Sequence, residues 1–446
     1  MKMNKMKLLL LPFVCVCAIV ALGDLEIGEE YPISSWTFMR AEQQRPPEVV
    51  VKEWKDLGFT HAMSPILDFE SKEHGRIRRM LDLCLENGLK LIIHDRRAHW
   101  YGARGVLKDD SAYRKNLDMV KAEWASHPAC AGFVLTDEPS VREIDETCKA
   151  ARLMKEAMPD KMCFLNLLPW YGWIGPRLGS DSYGPYLDRV AKDTGLDTLC
   201  YDYYDHMAED RGEGAGFDGY FENLREWREF TQRNPGRRFW YTPLSVDSAT
   251  RVVRTQADFR WQISTAAAMG AKGLVWYYVD LSCYHGMGNA GNAPINVFGE
   301  RTEYFNWLSE ENRRFQQQFG SEFMRLKTEE VFMVGFDKPR GGVKPFAGDA
   351  DVLSVSSDHA PVLVSFFGDG EGGRYVALVN LSRKITNRVT LGLADGVRPK
   401  RLNRFKEYKQ QPVVPDPVLA RRSGKASATS WNDYLAAGQL VLLKLR

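Results

Sequence analysis

The 446-residue sequence has almost no charge of one sign to spare: 60 Lys+Arg stand against 58 Asp+Glu, a formal net charge of +2. Nothing there drives adhesion to a phosphate backbone, which excludes a general nucleic-acid binder. Beyond residue 23 no apolar run is long enough to span a bilayer. No CxxC pair occurs among the eight cysteines, so a zinc ribbon or dithiol redox centre has no support. No HxH or HExxH occurs either, so a metal-dependent hydrolase built on His94, His99, His206 or His285 lacks clustered ligands. The expectation is no metal and no cofactor. No GxGxxG follows the first strand candidate, which weakens a doubly wound nucleotide-binding sheet. Internal repeats and low-complexity tracts are missing as well.

What is present begins with a leader. Lys2, Lys5 and Lys7 precede the apolar run Leu8–Val20, and Ala21-Leu22-Gly23 offers small residues before Asp24. This reads as a signal peptide over 1–23, so the mature chain is expected to be soluble and secreted or periplasmic. Cys15 and Cys17 each follow Val, a poor lipidation context, which disfavours a lipid-anchored form. The cysteines past the leader are Cys84, Cys130, Cys148, Cys163, Cys200 and Cys283. Cys130, Cys163 and Cys200 sit in or beside apolar runs, which predicts buried free thiols.

From Tyr31 to Val279 short apolar runs alternate with longer amphipathic segments. Eight runs read as strands: Pro32–Phe38, Phe59–Ile66, Leu89–His94, Ala131–Thr136, Met162–Leu168, Thr198–Tyr203, Arg238–Leu244 and Gly273–Val279. Near-continuous apolar character suits parallel strands covered on both faces. Between them Ile77, Met80, Leu81, Cys84 and Leu85 recur at helical spacing before Gly88, and Ser140 to Glu143 reads as a capping box. Ala257–Met269 reads as a helix stopped by Gly270. The pattern predicts an α/β fold, a (β/α)8 TIM barrel over 24–325. After a helix near Tyr304–Phe319, short β-like runs at Val352–Ser356, Val362–Phe367, Tyr375–Leu381, Val389–Leu393 and Leu440–Leu445 predict a small C-terminal antiparallel β-sandwich over 326–446.

Barrel chemistry sits at the C-terminal ends of the strands. Strand four ends Thr136-Asp137-Glu138-Pro139, two adjacent carboxyls after an apolar run. Burial and a neighbouring like charge both raise a carboxyl pKa, which suits Glu138 to donate a proton near neutrality. The same acids would also suit an ordinary helix N-terminus. Strand six ends Tyr201-Asp202-Tyr203-Tyr204, and Asp202 is a candidate second carboxylate or a structural acid. His94 ends strand three, and Asn166 lies inside strand five, where an amide could hold a substrate hydroxyl or tie down a loop. Trp36, Trp170, Tyr171, Trp173, Tyr201, Tyr203, Tyr241 and Trp276 place flat faces near strand ends, either as sugar platforms or as core, and Asp280 follows strand eight.

Together Gly132–Pro139, Asn166-Leu-Leu-Pro169, Tyr201-Asp-Tyr-Tyr204 and Ala271–Trp276 resemble the retaining-glycosidase clan of (β/α)8 β-galactosidases and cellulases. The resemblance implies a glycoside hydrolase acting on an oligo- or polysaccharide, with Glu138 as general acid/base. Two departures stand out: Asp137 occupies the clan's usual Asn position, and strand seven has no Glu for the nucleophile. Asp202 is then the best remaining carboxylate, as in barrel glycosidases with acids on strands four and six. The Asp137–Glu138 pair also resembles substrate-assisted hexosaminidases, in which the Asp orients the sugar's acetamido group and a strand-six Tyr, here Tyr201 or Tyr203, assists. The missing strand-seven Glu leaves a third alternative, a barrel that binds glycans without cleaving them.

Overall fold

A computed structural model describes residues 30–208, 215–248, 250–282 and 291–446. The leader, Cys283 and His285 lie outside the described residues. Eight short strands form one parallel sheet: β1 Ile33–Ser35, β2 His61–Met63, β3 Lys90–Ile93, β4 Cys130–Asp137, β5 Met162–Leu167, β6 Thr198–Asp202, β7 Arg238–Thr242 and β8 Leu274–Trp276. Their order, β1-β8-β7-β6-β5-β4-β3-β2, is that of a barrel. Thr60 closes the ring, its Oγ1 accepting from Ile33 N–H at 2.9 Å and its own N–H donating to the Ile33 carbonyl at 3.0 Å. The interior is packed solid. Phe164 lies against Trp36 at 5.8 Å and Trp240 at 6.3 Å between ring centroids. Gly132 lets β4 and β5 approach, since a Cβ there would stand 2.0 Å from the Met162 carbonyl oxygen.

Helices alternate with the strands. His74–Glu86 buries Ile77, Met80, Leu81 and Cys84 of the stripe its spacing predicts, while Leu85 at its edge is exposed, and Gly88 follows at φ +68°. Ser140 and Glu143 do bond, Ser140 N–H to Glu143 Oε2 at 2.9 Å, but the helix proper is Ile144–Ala157, so the pair shapes the turn leading into it. Gln256–Ala268 differs from the other helices in being buried almost all round. The reason is a second cover. Trp261, on its outer face, donates from Nε1 to the Leu381 carbonyl of the C-terminal region at 3.0 Å.

That C-terminal region is two packed sheets, mostly antiparallel. The larger is built around Lys327–Val334, Val362–Gly368, Arg374–Asn380 and Leu440–Lys444, the smaller around Val352–Ser357, Asn387–Ala394 and Ala428–Leu435. Alternation sorts the central strands. Leu363, Phe367, Ala377, Val379 and Leu442 join the barrel's hydrophobic core, while Val364, Phe366, Val376, Leu378 and Leu443 pack with Leu391, Leu393 and Trp431 of the smaller sheet.

Cys84, Cys130, Cys148, Cys163 and Cys200 are buried and free. Burial pushes the Cys130 thiol up to about 11 and that of Cys84 to about 12. No helix among the described residues is long and apolar enough to cross a membrane.

Candidate active site

The site starts from an irregularity in β4. Val134 pairs with Phe164, but Thr136 pairs with Leu165 and Asp137 with Asn166, so β4 carries one extra residue. Strict alternation from Val134 would turn Thr136 into the barrel. The bulge turns Asp137 inward instead, in register with Asn166 on β5, which pairs with Cys200 on β6. Asp202, two residues on from Cys200, takes the same face and pairs with Thr242 on β7. Glu138 follows at φ +46°, a left-handed conformation that L side chains adopt at a cost of about 1–3 kcal/mol. Its N–H donates to the Asn166 carbonyl at 2.9 Å, which holds this turn against β5.

One amide joins the acids. Asn166 Nδ2 donates to Asp137 Oδ1 at 2.9 Å and to Asp202 Oδ1 at 3.0 Å, using both of its hydrogens. Asn166 Oδ1 is buried with no partner among the described residues. Asp202, 8% exposed, lies within hydrogen-bonding reach of Glu138. Burial, then the charges of Glu138 and Asp137, push the Asp202 carboxyl well above the usual carboxylate range. Burial also raises Glu138, against the opposing field of Arg177. Asp137 is raised to about 7 by burial and then by the Glu138 charge, with the Asn166 bond acting the other way. More than a third of its surface still meets solvent at the barrel mouth, which screens part of that effect.

Aromatic side chains ring this cluster. Tyr204 stands beside Tyr277 at 5.2 Å, and after burial the Asp202 charge is the largest influence raising its phenol. Tyr171 packs on Tyr203 at 5.3 Å and stacks with Trp173 at 5.5 Å and 12°. Trp36 lies inside the barrel below the mouth, 4% exposed, against Phe164 and Phe38. Tyr204, Tyr277 and Arg177 were not singled out by the sequence. Counting by twos from inward-facing Asp202 reaches Tyr204, which was the signal available.

Several expected platforms face elsewhere. Tyr201 stacks on Trp227 at 5.0 Å, and Trp276 donates from Nε1 to Asn312 Oδ1 at 3.0 Å. Tyr241 packs on Tyr220 and donates to the Tyr203 carbonyl at 2.9 Å. All three occupy the seam between strands and helices because they alternate with the inward residues. Tyr203 tucks its hydroxyl against the helix Ala215–Arg233, where a Cβ on Gly219 would stand 2.1 Å from it. Trp170 is anchored to Asn223, with N–H to Oδ1 at 2.7 Å, and its ring stacks on Tyr183. Asp280 is neutralised by Arg45 at 2.7 Å, which also pairs with Glu53 at 2.5 Å, so it belongs to a structural ion cluster. His94 is buried and stacks on His99 at 5.0 Å, and burial holds it neutral, well below the usual histidine range. His206 lies apart against Tyr220, and the described residues form no metal-ligand cluster. At the end of β7 stands Thr242, bonded to Cys200 Sγ at 3.3 Å, so no carboxylate faces the site from there.

No protein-family profile and no curated protein matches the sequence. Solved structures do. A family 5 glycoside hydrolase from Bacteroides vulgatus superposes with a TM-score of 0.59 at 9% identity, covering 93% of this chain and 89% of that one. A β-galactosidase from Bacillus circulans sp. alkalophilus gives 0.61 at 10% identity, covering 94% and 100%. A GH42 β-galactosidase from G. stearothermophilus gives 0.61 at 9% identity, covering 94% and 98%. The chain has the fold of the barrel glycosidases. At these identities the likeness shows the TIM barrel and the sandwich-like region after it, and the chemistry rests on the residues themselves.

Proposed function

We propose that the protein is an exported glycoside hydrolase in which Glu138 is the general acid/base and Asp202 the second carboxylate. The observation that carries this reading is that Asn166 draws Asp202 and the neighbour of Glu138, Asp137, together on its two amide hydrogens at the mouth of a glycosidase-type barrel. In the first step Glu138 gives its proton to the glycosidic oxygen as the bond from C1 to that oxygen breaks. Two carboxyls about 5–5.5 Å apart serve a retaining mechanism, and about 6.5–9.5 Å leaves room for the attacking water of an inverting one. Of the two we propose the retaining route, and the first-formed anomer tests it. With a sugar ring between them the proton stays on Glu138 and Asp202 attacks C1 as the carboxylate; having given that proton to the leaving oxygen, Glu138 then deprotonates the water that displaces Asp202 from C1 and frees the product. Residues 1–23 support export, and a mature N-terminus at Asp24, read by terminal sequencing, tests it.

The test is hydrolysis of a broad glycan panel by wild type, Glu138→Gln and Asp202→Asn, with the first-formed anomer followed by NMR. Turnover falling about 10²-fold or more in each variant supports the assignment. Unchanged turnover in Glu138→Gln overturns it. A second reading is favoured by one observation: Asp137, not Asp202, is the acid open to solvent beside Glu138. Here Asp137 would orient a substrate acetamido group as nucleophile, and cleavage of a sugar lacking a 2-acetamido group rules this out. Tight binding without turnover on any glycan would instead support a non-catalytic barrel, consistent with the bare end of β7.

A further inference from the structure

The loop after β5, residues 168–182, carries features that carboxylate chemistry leaves unused. Trp173 is 72% exposed, its ring stacked on Tyr171, which lies in the fields of Asp205 and Asp202. An exposed indole on a rigid aromatic partner, one step from the acids, is a ready ledge for a sugar face. Four residues further on is Arg177. Its carbonyl accepts from Val141 N–H at 2.7 Å, which ties this loop to the one after β4, three residues past Glu138.

Arg177 is exposed and has no acidic partner among the described residues, unlike three arginines on this end of the barrel. Arg96 pairs with Asp68 at 3.3 Å, Arg97 with Asp95 at 2.6 Å, and Arg251 with Asp205 at 2.5 Å. Arg104, on the β3 loop, is likewise free of acids and lies over Trp100 at 4.6 Å and Tyr101 at 4.5 Å. An unpaired guanidinium beside a general acid works against that acid, because its field favours the ionised form. An anion seated on the guanidinium would cancel the field and let Glu138 hold its proton.

We infer that the glycan taken by this site carries an anionic group, a carboxylate or a sulfate ester, held by Arg177 while an adjacent sugar ring stacks on Trp173. A planar fork of donors matches either group two bonds at a time, which a lysine in the same place would not reproduce. Where the glycan is cleaved, the inference rests on the glycosidase reading. For binding it stands alone, and the two fail separately.

The experiment titrates mature Glu138→Gln protein calorimetrically with three oligosaccharide sets: neutral galacto-oligosaccharides, oligogalacturonates and sulfated galactan oligosaccharides. One charged set should bind about 10-fold or more tighter than the neutral set, a margin that shrinks with added salt. The set that wins names the anion. Adding Arg177→Ala should abolish the preference, Arg177→Lys should retain part of it, and Trp173→Ala should weaken the favoured set. Equal binding of neutral and charged sets, a preference that survives Arg177→Ala, or no binding of either charged set overturns the inference. Charged oligosaccharides that bind but are never cleaved by wild type overturn the glycosidase reading alone.

Discussion

Asn166 has two amide hydrogens and spends one on each of two acids. Replacing it with Ala leaves both carboxyls without that donor. Asn166→Ala should cost about 1–3 kcal/mol in urea denaturation, and the acidic limb of kcat/KM should move to higher pH, because Asp202, which must be ionised to attack, loses a bond favouring its ionised form. Asp137 makes a second prediction at this scale. Its carboxyl, normally 3.8, is held at about 7 in the folded chain. Folding therefore disfavours its ionisation. The penalty is absent below its ordinary value, grows as pH rises towards 7 and is complete above it. The thermal midpoint should fall across that window, and Asp137→Asn should flatten the fall, which calorimetry at stepped pH checks. The acids themselves were legible in the sequence, since a carboxyl ending an apolar run needs a reason to be there. The aromatic ring was less so. Tyr201, Tyr241 and Trp276 have the right chemistry and the wrong face, and composition does not say which face a side chain takes. Arg177 was invisible because its place depends on how one loop is clasped by another.

Strand β4 shows what one element has to satisfy. It must approach β5 at Gly132 and carry an extra residue before Asp137. Gly132→Ala would drive a methyl into the Met162 backbone, which cannot swing aside. It should destabilise the chain by roughly 3 kcal/mol, measured by urea unfolding, and lower activity by shifting the acids relative to Asn166. All eight barrel strands could be read from their apolar runs, with ends displaced by a few residues. The bulge could not, because it is a property of the pair and not of either strand. In the C-terminal sheets, Ala428–Leu435 escaped notice because Asn432 and Asp433 interrupt its apolar pattern. Lys327–Val334 escaped because it opens on Lys, Thr and two Glu directly after a helix. A strand of a two-sheet layer can be polar on its outward face without penalty, since only one face needs cover.

At the scale of the whole molecule, the barrel shares its hydrophobic core with one face of the larger C-terminal sheet, and a second core lies between the two sheets. The helix Gln256–Ala268 is the joint, and its near-complete burial explains why it lacks an obvious polar stripe. Trp261→Ala removes a buried indole and its bond to the Leu381 carbonyl. It should cost about 3–5 kcal/mol, and calorimetry should show two transitions in place of one if the sheets keep their own fold. The five buried thiols add a consequence of their own. Every one lies between Cys84 and Cys200, inside the barrel, and the sequence has no cysteine after residue 283. A thiol-blocking reagent therefore meets these sulfurs only when the barrel opens, and the C-terminal sheets can come and go unseen. Nature has in effect placed clocks in one half of the molecule: the rate at which each sulfur is capped, read peptide by peptide in a mass spectrometer, times the opening of its own strand or helix in the unaltered protein.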